Sequence, residues 1–108
     1  MLPLDSVGFI KTCIRQNLIF WIYHVNMRLG ERSISRQMIL DAVDSFEVIE
    51  EYPEDKYLPS YLVRGEGKTG IFHAVIAIDL EGNNIRIVTV YYPDQIQWSQ
   101  DFRKRSRA

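Results

Sequence analysis

The sequence contains a single cysteine, Cys13, and only two histidines. One cysteine cannot form an intrachain disulfide, and this set of residues excludes a zinc site built from several cysteines. The longest apolar run, residues 18–23, is far shorter than the roughly 20 residues that cross a bilayer. We therefore expect a cytoplasmic protein in a reducing compartment, with no membrane span, secretory signal, metal or cofactor.

Net charge is also small, at −1 for 108 residues, but the charges are unevenly distributed. Half of the 14 acidic residues lie within residues 41–55, which contain no base, so the rest of the chain is basic. The apolar fraction of 46% and the charged fraction of 25% are those of an ordinary globular protein,. We expect a single domain, residues 1–108, in which the acidic segment is a solvated or partner-facing edge.

Apolar periodicity predicts helices in residues 1–45. Asp5 or Ser6 can cap a first helix that ends near Asn17, because apolar residues recur there at three- and four-residue spacing. Residues 18–29 are apolar nearly all round, which leaves open whether they continue the first helix as one long helix or form a second one separated from it near Asn17.

Two further signals divide the helical part. Gly30 is predicted to end the preceding helix in the left-handed conformation that glycine adopts easily. Ser35 is predicted to cap a last helix that extends to about residue 45, with Ile34 and Ile39 placed as a hydrophobic staple.

From residue 46 onward the apolar pattern changes from helical to strand-like, and turn residues separate the strands. The predicted strands cover residues 46–52, 60–64, 71–79 and 84–92. Short connections between consecutive strands predict a four-stranded antiparallel meander with the helices packed on one face, an α+β fold. Residues 93–108 are predicted to form a short helix and a basic tail. The other face of the sheet is then free to bind a ligand.

The run from His24 to Arg32 is the first candidate site. On a helix, His24, Arg28 and Arg32 share one face, which combines a group that titrates near neutral pH with two permanent cations. Such a face can hold a phosphate and move a proton beside it. The alternative is a solvated helix face.

The strand at residues 71–79 carries the other histidine, His73. Alternation places His73 on the side opposite Phe72 and Ala74, so it faces away from the predicted core. If the next strand pairs odd-numbered with odd-numbered residues, and buries Val88 and Val90, Thr89 and Tyr91 lie beside His73; a slip of one residue reverses this. The alternative is a buried structural histidine with ordinary strand neighbours.

Two basic features complete the candidates. The glycine-rich turn 65–70 lacks the spacing of a nucleotide-binding loop, but Lys68 at this turn can contact a nucleic-acid backbone or simply keep the loop soluble. The tail residues Arg103, Lys104 and Arg105 are predicted either to bind RNA or to be solvated and mobile.

In combination these residues resemble a bacterial family called domain of unknown function 4258, from about residue 18 to residue 105. The features that carry the resemblance are His24-x3-Arg28-Leu29-x-Glu31-Arg32-x-Ile34-Ser35, Val48-Ile49-Glu50-x-Tyr52, His73 before an apolar strand, Thr89-Val90-Tyr91, Pro93-Asp94, Trp98 and Phe102-x-x-Arg105. The resemblance implies a fold like that of the RelE, barnase and colicin ribonucleases, and a toxin of a toxin–antitoxin pair. It also implies that the recurrent polar positions are His24, Arg28, Arg32, His73, Thr89 and Tyr91.

We therefore expect a metal-independent endoribonuclease with RNA and an antitoxin protein as partners. One histidine would abstract the ribose 2′-hydroxyl proton and the other would protonate the leaving oxygen, while the arginines stabilise the transition state. Tyr91 and Thr89 would position the phosphate. The alternatives are a non-catalytic RNA-binding or protein-interaction module and a homodimer formed through residues 18–23.

Overall fold

The computed structural model describes residues 2–106, without the side chains of residues 23, 24, 26 and 27. Helices occupy the first part of the chain and most strands the second, which gives a mixed α+β architecture. The elements are α1 (Ser6–Arg15), β1 (Ile19–Trp21), α2 (Tyr23–Glu31), α3 (Arg36–Asp41), a short 3-10 helix (Val43–Ser45), β2 (Glu47–Tyr52), β3 (Ser60–Gly67), β4 (Gly70–Asp79) and β5 (Asn84–Tyr91). None of the helices in this part of the chain is long and apolar enough to span a membrane.

The sheet has five strands in the order β1-β5-β4-β3-β2. Strands β2 to β5 form the expected antiparallel meander, but β1 adds a fifth strand that runs parallel to β5. The prediction of four strands was therefore wrong, because β1 lies in a segment expected to be helical. Asn17, with φ 58°, turns the chain out of α1, and the branched and aromatic residues that follow favour a strand.

The helix ends differ in part from the predictions. Gly30 does not end α2, which continues to Glu31; Ser33 takes the left-handed conformation instead, with φ 56°. The N–H of Ile34 donates to the carbonyl of Leu29 at 3.0 Å, and both side chains are buried, as in a Schellman motif,. The cap at Ser35 is confirmed, since its hydroxyl accepts the N–H of Met38 at 3.0 Å. Helix α3 is shorter than expected and gives way to the 3-10 helix.

The main core lies between the helices and one face of the sheet. The central strand β4 contributes alternate residues to it, as the alternation predicted, and the buried side chains from β4 are Phe72, Ala74, Ile76 and Ile78. A β-bulge in the β4–β5 pairing leaves Val88 without a partner and 37% exposed. Val88 and Val90 were both expected in the core; Val90 is there, but the extra residue of the bulge puts Ile87 in the core in place of Val88,.

The chain after β5 folds back over the second sheet face. We call residues 98–106 the cover segment. It forms turns closed by an antiparallel bridge between Trp98 and Arg105, and not the short helix predicted from residue 95. The N–H of Ser99 donates to the carbonyl of Lys104 at 2.7 Å, and the N–H of Ser106 to that of Gln97 at 2.8 Å. The sheet face that was expected to be open is therefore partly covered.

Candidate functional site

A row of polar side chains crosses the covered face of the sheet. Glu47 pairs with Arg64, Arg64 with His73, and His73 with Tyr91, on strands β2, β3, β4 and β5. We call these four residues the polar row. Odd-numbered residues of β4 pair with odd-numbered residues of β5 here, so Tyr91 lies beside His73 and Thr89 lies opposite Val75.

His73 is the most enclosed member of the polar row, with 0% of its surface exposed. Its Nε2–H donates to the backbone carbonyl of Phe102 at 2.8 Å, which leaves Nδ1 to accept from the Tyr91 hydroxyl 3.4 Å away. The Trp98 ring packs edge-on against the imidazole, with 4.5 Å between ring centroids. Burial lowers the pKa of His73, so the imidazole is neutral at neutral pH and its tautomer is set by the Phe102 carbonyl.

Arg64 lies next to His73 and is also buried, with 5% of its surface exposed. Its Nε–H donates to the backbone carbonyl of Asp101 at 2.8 Å. Its Nη1 is 3.6 Å from a carboxylate oxygen of Glu66 and has no hydrogen-bond partner among the described residues. The buried guanidinium of Arg64 therefore has at least one hydrogen-bond donor without an acceptor among the described residues,.

The cover segment is attached to β2 by two ion pairs. Arg103 binds the carboxylate of Glu47 through Nε at 2.9 Å and Nη2 at 2.8 Å. Arg105 binds Glu50 through Nε at 2.8 Å and stacks over Trp98 at 4.7 Å. Hydrogen bonds from these arginines hold the pKa values of Glu47 and Glu50 below the ordinary glutamate value.

These ion pairs change the interpretation of the basic tail. Arg103 and Arg105 were expected to be solvated or to bind RNA, but both are engaged with carboxylates of the acidic segment. Lys104 between them is exposed. The acidic segment therefore serves, in part, as an internal partner for the tail.

The helical candidates lie on the other side of the sheet. Val25 and Leu29 of α2 pack into the main core, whereas His73 points to the opposite face. Nη1 of Arg32 donates to the carbonyl of Val90 at 2.5 Å, at a part of the β5 edge that β1 does not cover. Arg28 is exposed.

The side chain of His24 lies outside the described residues, although its backbone belongs to α2. In the described part of the chain, Arg28 and Arg32, the two arginines predicted to act with His24, do not lie beside the polar row. Arg32, predicted to bind phosphate, satisfies a backbone carbonyl at the sheet edge.

Lys68 is exposed in the two-residue turn between β3 and β4, next to a groove of about 670 Å³. Helix α3 and this hairpin form the groove walls, and Met38 and Thr69 line it. The Thr69 hydroxyl is 2.5 Å from that of Tyr92. The groove is separate from the polar row, so Lys68 does not join His73.

The apolar run at residues 18–23 is used mostly inside the molecule. Ile19 and Trp21 pack against the main core, while Phe20 is 59% exposed. Among the described residues no three His, Cys, Asp or Glu side chains are grouped to hold a metal ion.

Sequence reasoning missed two members of the polar row, Glu47 and Arg64. Arg64 follows three apolar residues in β3 and was predicted only as the last residue of a strand. The period of two along β3 is the signal that would have found it, since Leu62 and Arg64 share the face of His73,. The carboxylates that bind Arg103 and Arg105 lie in the acidic segment, which was predicted to be a solvated or partner-facing edge.

The chain belongs to the family described as a domain of unknown function (DUF4258), which matches residues 21–92. No curated protein and no solved structure matches the chain. The matched region contains the whole polar row but ends before the cover segment, so Trp98 and Arg105, which contributed to the resemblance, lie beyond it.

Proposed function

We propose that the protein is a metal-independent endoribonuclease and the toxin of a bacterial toxin–antitoxin pair. The observation that carries this proposal is the polar row, in which a neutral imidazole, a tyrosine hydroxyl and a buried guanidinium are neighbours on one sheet face. These are a proton acceptor, a proton carrier and a cation, the groups that cleavage of a phosphodiester requires when no metal assists.

In the proposed reaction Tyr91 meets the substrate first, since it is half-buried while its neighbour His73 is fully buried. The Tyr91 oxygen takes the proton of the ribose 2′-hydroxyl and passes its own proton to Nδ1 of His73. The 2′-oxygen then forms a bond to phosphorus, and the bond to the leaving 5′-oxygen breaks. Arg64 stabilises the charge on the phosphate. A water molecule gives the proton to the leaving oxygen, because α2, which carries His24 in the sequence, packs against the other face of the sheet. The products are a 2′,3′-cyclic phosphate and a free 5′-hydroxyl.

Burial raises the pKa of Tyr91, so the hydroxyl stays protonated and acts as a carrier of protons, not as a phenolate. Thr89 and the exposed Arg28 remain candidates for binding the RNA backbone. Substrate reaches His73 and Arg64 only when the cover segment moves, because Trp98 and Phe102 close the face above them.

The complete burial of His73 favours a second candidate function, a non-catalytic RNA-binding or protein-interaction module. In that case the polar row only anchors the cover segment. Such a module would bind RNA with an affinity that falls steeply with salt concentration and would leave the RNA intact.

The test is cleavage of end-labelled RNA by the purified protein in EDTA, with detection of 2′,3′-cyclic phosphate ends. Tyr91→Phe removes one hydroxyl and is expected to lower the rate by about two to four orders of magnitude. Tyr57→Phe is the matched control, because Tyr57 is 84% exposed and outside the row.

Equal rates for Tyr91→Phe and the wild type would contradict the assigned role, and intact RNA with all proteins would favour the binding module. Induced expression in a bacterial host tests the toxin proposal directly. Growth arrest is expected for the wild type and for Tyr57→Phe, and normal growth for Tyr91→Phe.

A further inference from the structure

Arg64 and His73 hold two successive backbone carbonyls of the cover segment. Nε of Arg64 donates to the carbonyl of Asp101, and Nε2 of His73 donates to that of Phe102, both at 2.8 Å. The two donors are cross-strand partners, so they point at neighbouring oxygens from a rigid sheet,. We propose that Arg64 and His73 form a phosphate-binding pair, which the cover segment occupies with its own backbone in the free protein.

The buried charge of Arg64 favours an anion as the natural ligand. The two carbonyl oxygens that Nε and the imidazole now hold are uncharged, and the carboxylate of Glu66 lies 3.6 Å from Nη1, too far for a hydrogen bond. A phosphate group offers more acceptor oxygens than two carbonyls and carries the charge that a guanidinium pairs with best. Two oxygens of one phosphate would take Nε and Nη2 of Arg64, the adjacent donors that Arg103 also presents to Glu47, and the imidazole would bind the same group,.

The way the cover segment is held makes it displaceable. Its two ion pairs are partly exposed, with side-chain exposures of 40% and 43% for Arg103 and Glu47 and of 56% and 25% for Arg105 and Glu50. Exposed pairs of this kind contribute little in water and weaken further with salt. Phe102 also has φ 61°, a conformation that costs energy for an aromatic residue,.

When RNA displaces the cover segment, phosphate groups would replace the glutamates as partners of Arg103 and Arg105. In the closed form Arg103 and Arg105 bind Glu47 and Glu50; RNA competes for the same two arginines and supplies the phosphate for Arg64. The RNA part of this proposal rests on the proposed function, whereas phosphate binding by the pair does not.

The first experiment measures whether the cover segment opens, without any RNA. Hydrogen exchange of residues 98–106 is compared in the wild type, in Glu47→Gln/Glu50→Gln and in Glu51→Gln/Glu54→Gln. The control pair removes the same charge from neighbouring exposed positions that do not contact the cover segment. Loss of two exposed ion pairs is expected to speed exchange roughly fivefold to thirtyfold in the first variant only. Unchanged exchange there would overturn the proposal.

The second experiment measures what binds to the opened site. The probes are a short 2′-O-methyl RNA, which cannot be cleaved, and inorganic phosphate. Glu47→Gln/Glu50→Gln is expected to bind at least one of the two probes more tightly than the equally charged control variant. Arg64→Lys keeps the charge but removes the guanidinium fork, and it is expected to abolish this gain when added to the opened variant.

The outcomes separate this proposal from the proposed function. An Arg64-dependent gain for RNA without any cleavage in EDTA supports the phosphate-binding pair and refutes the ribonuclease. Tighter binding of inorganic phosphate alone by Glu47→Gln/Glu50→Gln, compared with the control variant, supports the phosphate-binding pair and identifies free phosphate as the ligand. Equal affinities of the opened and control variants for both probes, or a gain that survives Arg64→Lys, would overturn the pair.

Discussion

Gly65→Ala is expected to destabilise the protein because the ring of Phe72 lies over the glycine on the neighbouring strand. The two residues are register partners of β3 and β4, and an added Cβ would lie 2.4 Å from Cζ of Phe72. The ring has little room to move, since Phe72 is fully buried and packs edge-on against Phe46 at 6.2 Å. Overpacking costs about 1–3 kcal/mol, and replacing glycine within a strand returns about 0.5–1 kcal/mol. The net loss is therefore roughly 0–2.5 kcal/mol and centred on about 1 kcal/mol, or a melting temperature lower by up to about 10 °C.

The same substitution at Gly30 supplies the matched control. Gly30 lies within α2, and an added Cβ meets no atom within 4 Å. Gly30→Ala is therefore expected to stabilise the protein by about 0.5–1 kcal/mol. Urea denaturation of both variants, analysed with a common slope, measures the two changes. A change of the same sign in both variants would refute the steric argument, and Gly65→Ala combined with Phe72→Leu should recover part of the loss.

Arg32→Ala is expected to lower the free energy of unfolding by about 1–3 kcal/mol, because a charged donor to the Val90 carbonyl is lost,. An unchanged free energy of unfolding in urea would contradict this structural role and favour the predicted role of Arg32 in binding phosphate. Glu47 and Glu50 have lowered pKa values in the folded protein, so their stabilisation is present above the unfolded value near 4.5 and disappears as pH falls below it,. Denaturation midpoints of the wild type and of Glu47→Gln/Glu50→Gln should accordingly converge in acid, and a constant gap from pH 7 to pH 3 would count against this. Ser35→Ala removes a helix cap and is expected to lower the free energy of unfolding by about 1 kcal/mol, as measured by thermal or urea denaturation,. An unchanged free energy would show that the Ser35 hydroxyl does not cap α3.

Most of the antiparallel meander was predictable because its signals are local, although β3 extends three residues beyond its predicted end at residue 64. Strand β2 begins and ends within one residue of its predicted bounds, and β4 and β5 do so too, since turn residues separate runs of β-branched and aromatic residues,. Strand β1 was missed for the opposite reason. An all-round apolar run has no period to distinguish a strand from a helix, and the parallel partner Ile85 to Ile87 lies far along the chain,.

Only the part of the candidate site that lies on β4 and β5 was predictable, from the alternation of side chains along each strand. His73, Thr89 and Tyr91 share the predicted face because side chains alternate and the register pairs odd with odd residues,. Nothing local to Arg103 and Arg105 marks them as ion-pair partners of the sheet. Their carboxylates lie 55 and 56 residues earlier in the chain, and a basic run looks the same whether it faces water or an ion-pair partner.

The position of the cover segment in the chain sets an order of events during synthesis. All five strands precede residue 98, so the cover segment is made after the sheet that it closes. In a molecule whose sheet forms before residues 98–106 fold back, the Arg64–His73 pair is uncovered. A ligand or partner protein present at that moment meets the open face first, without having to displace anything.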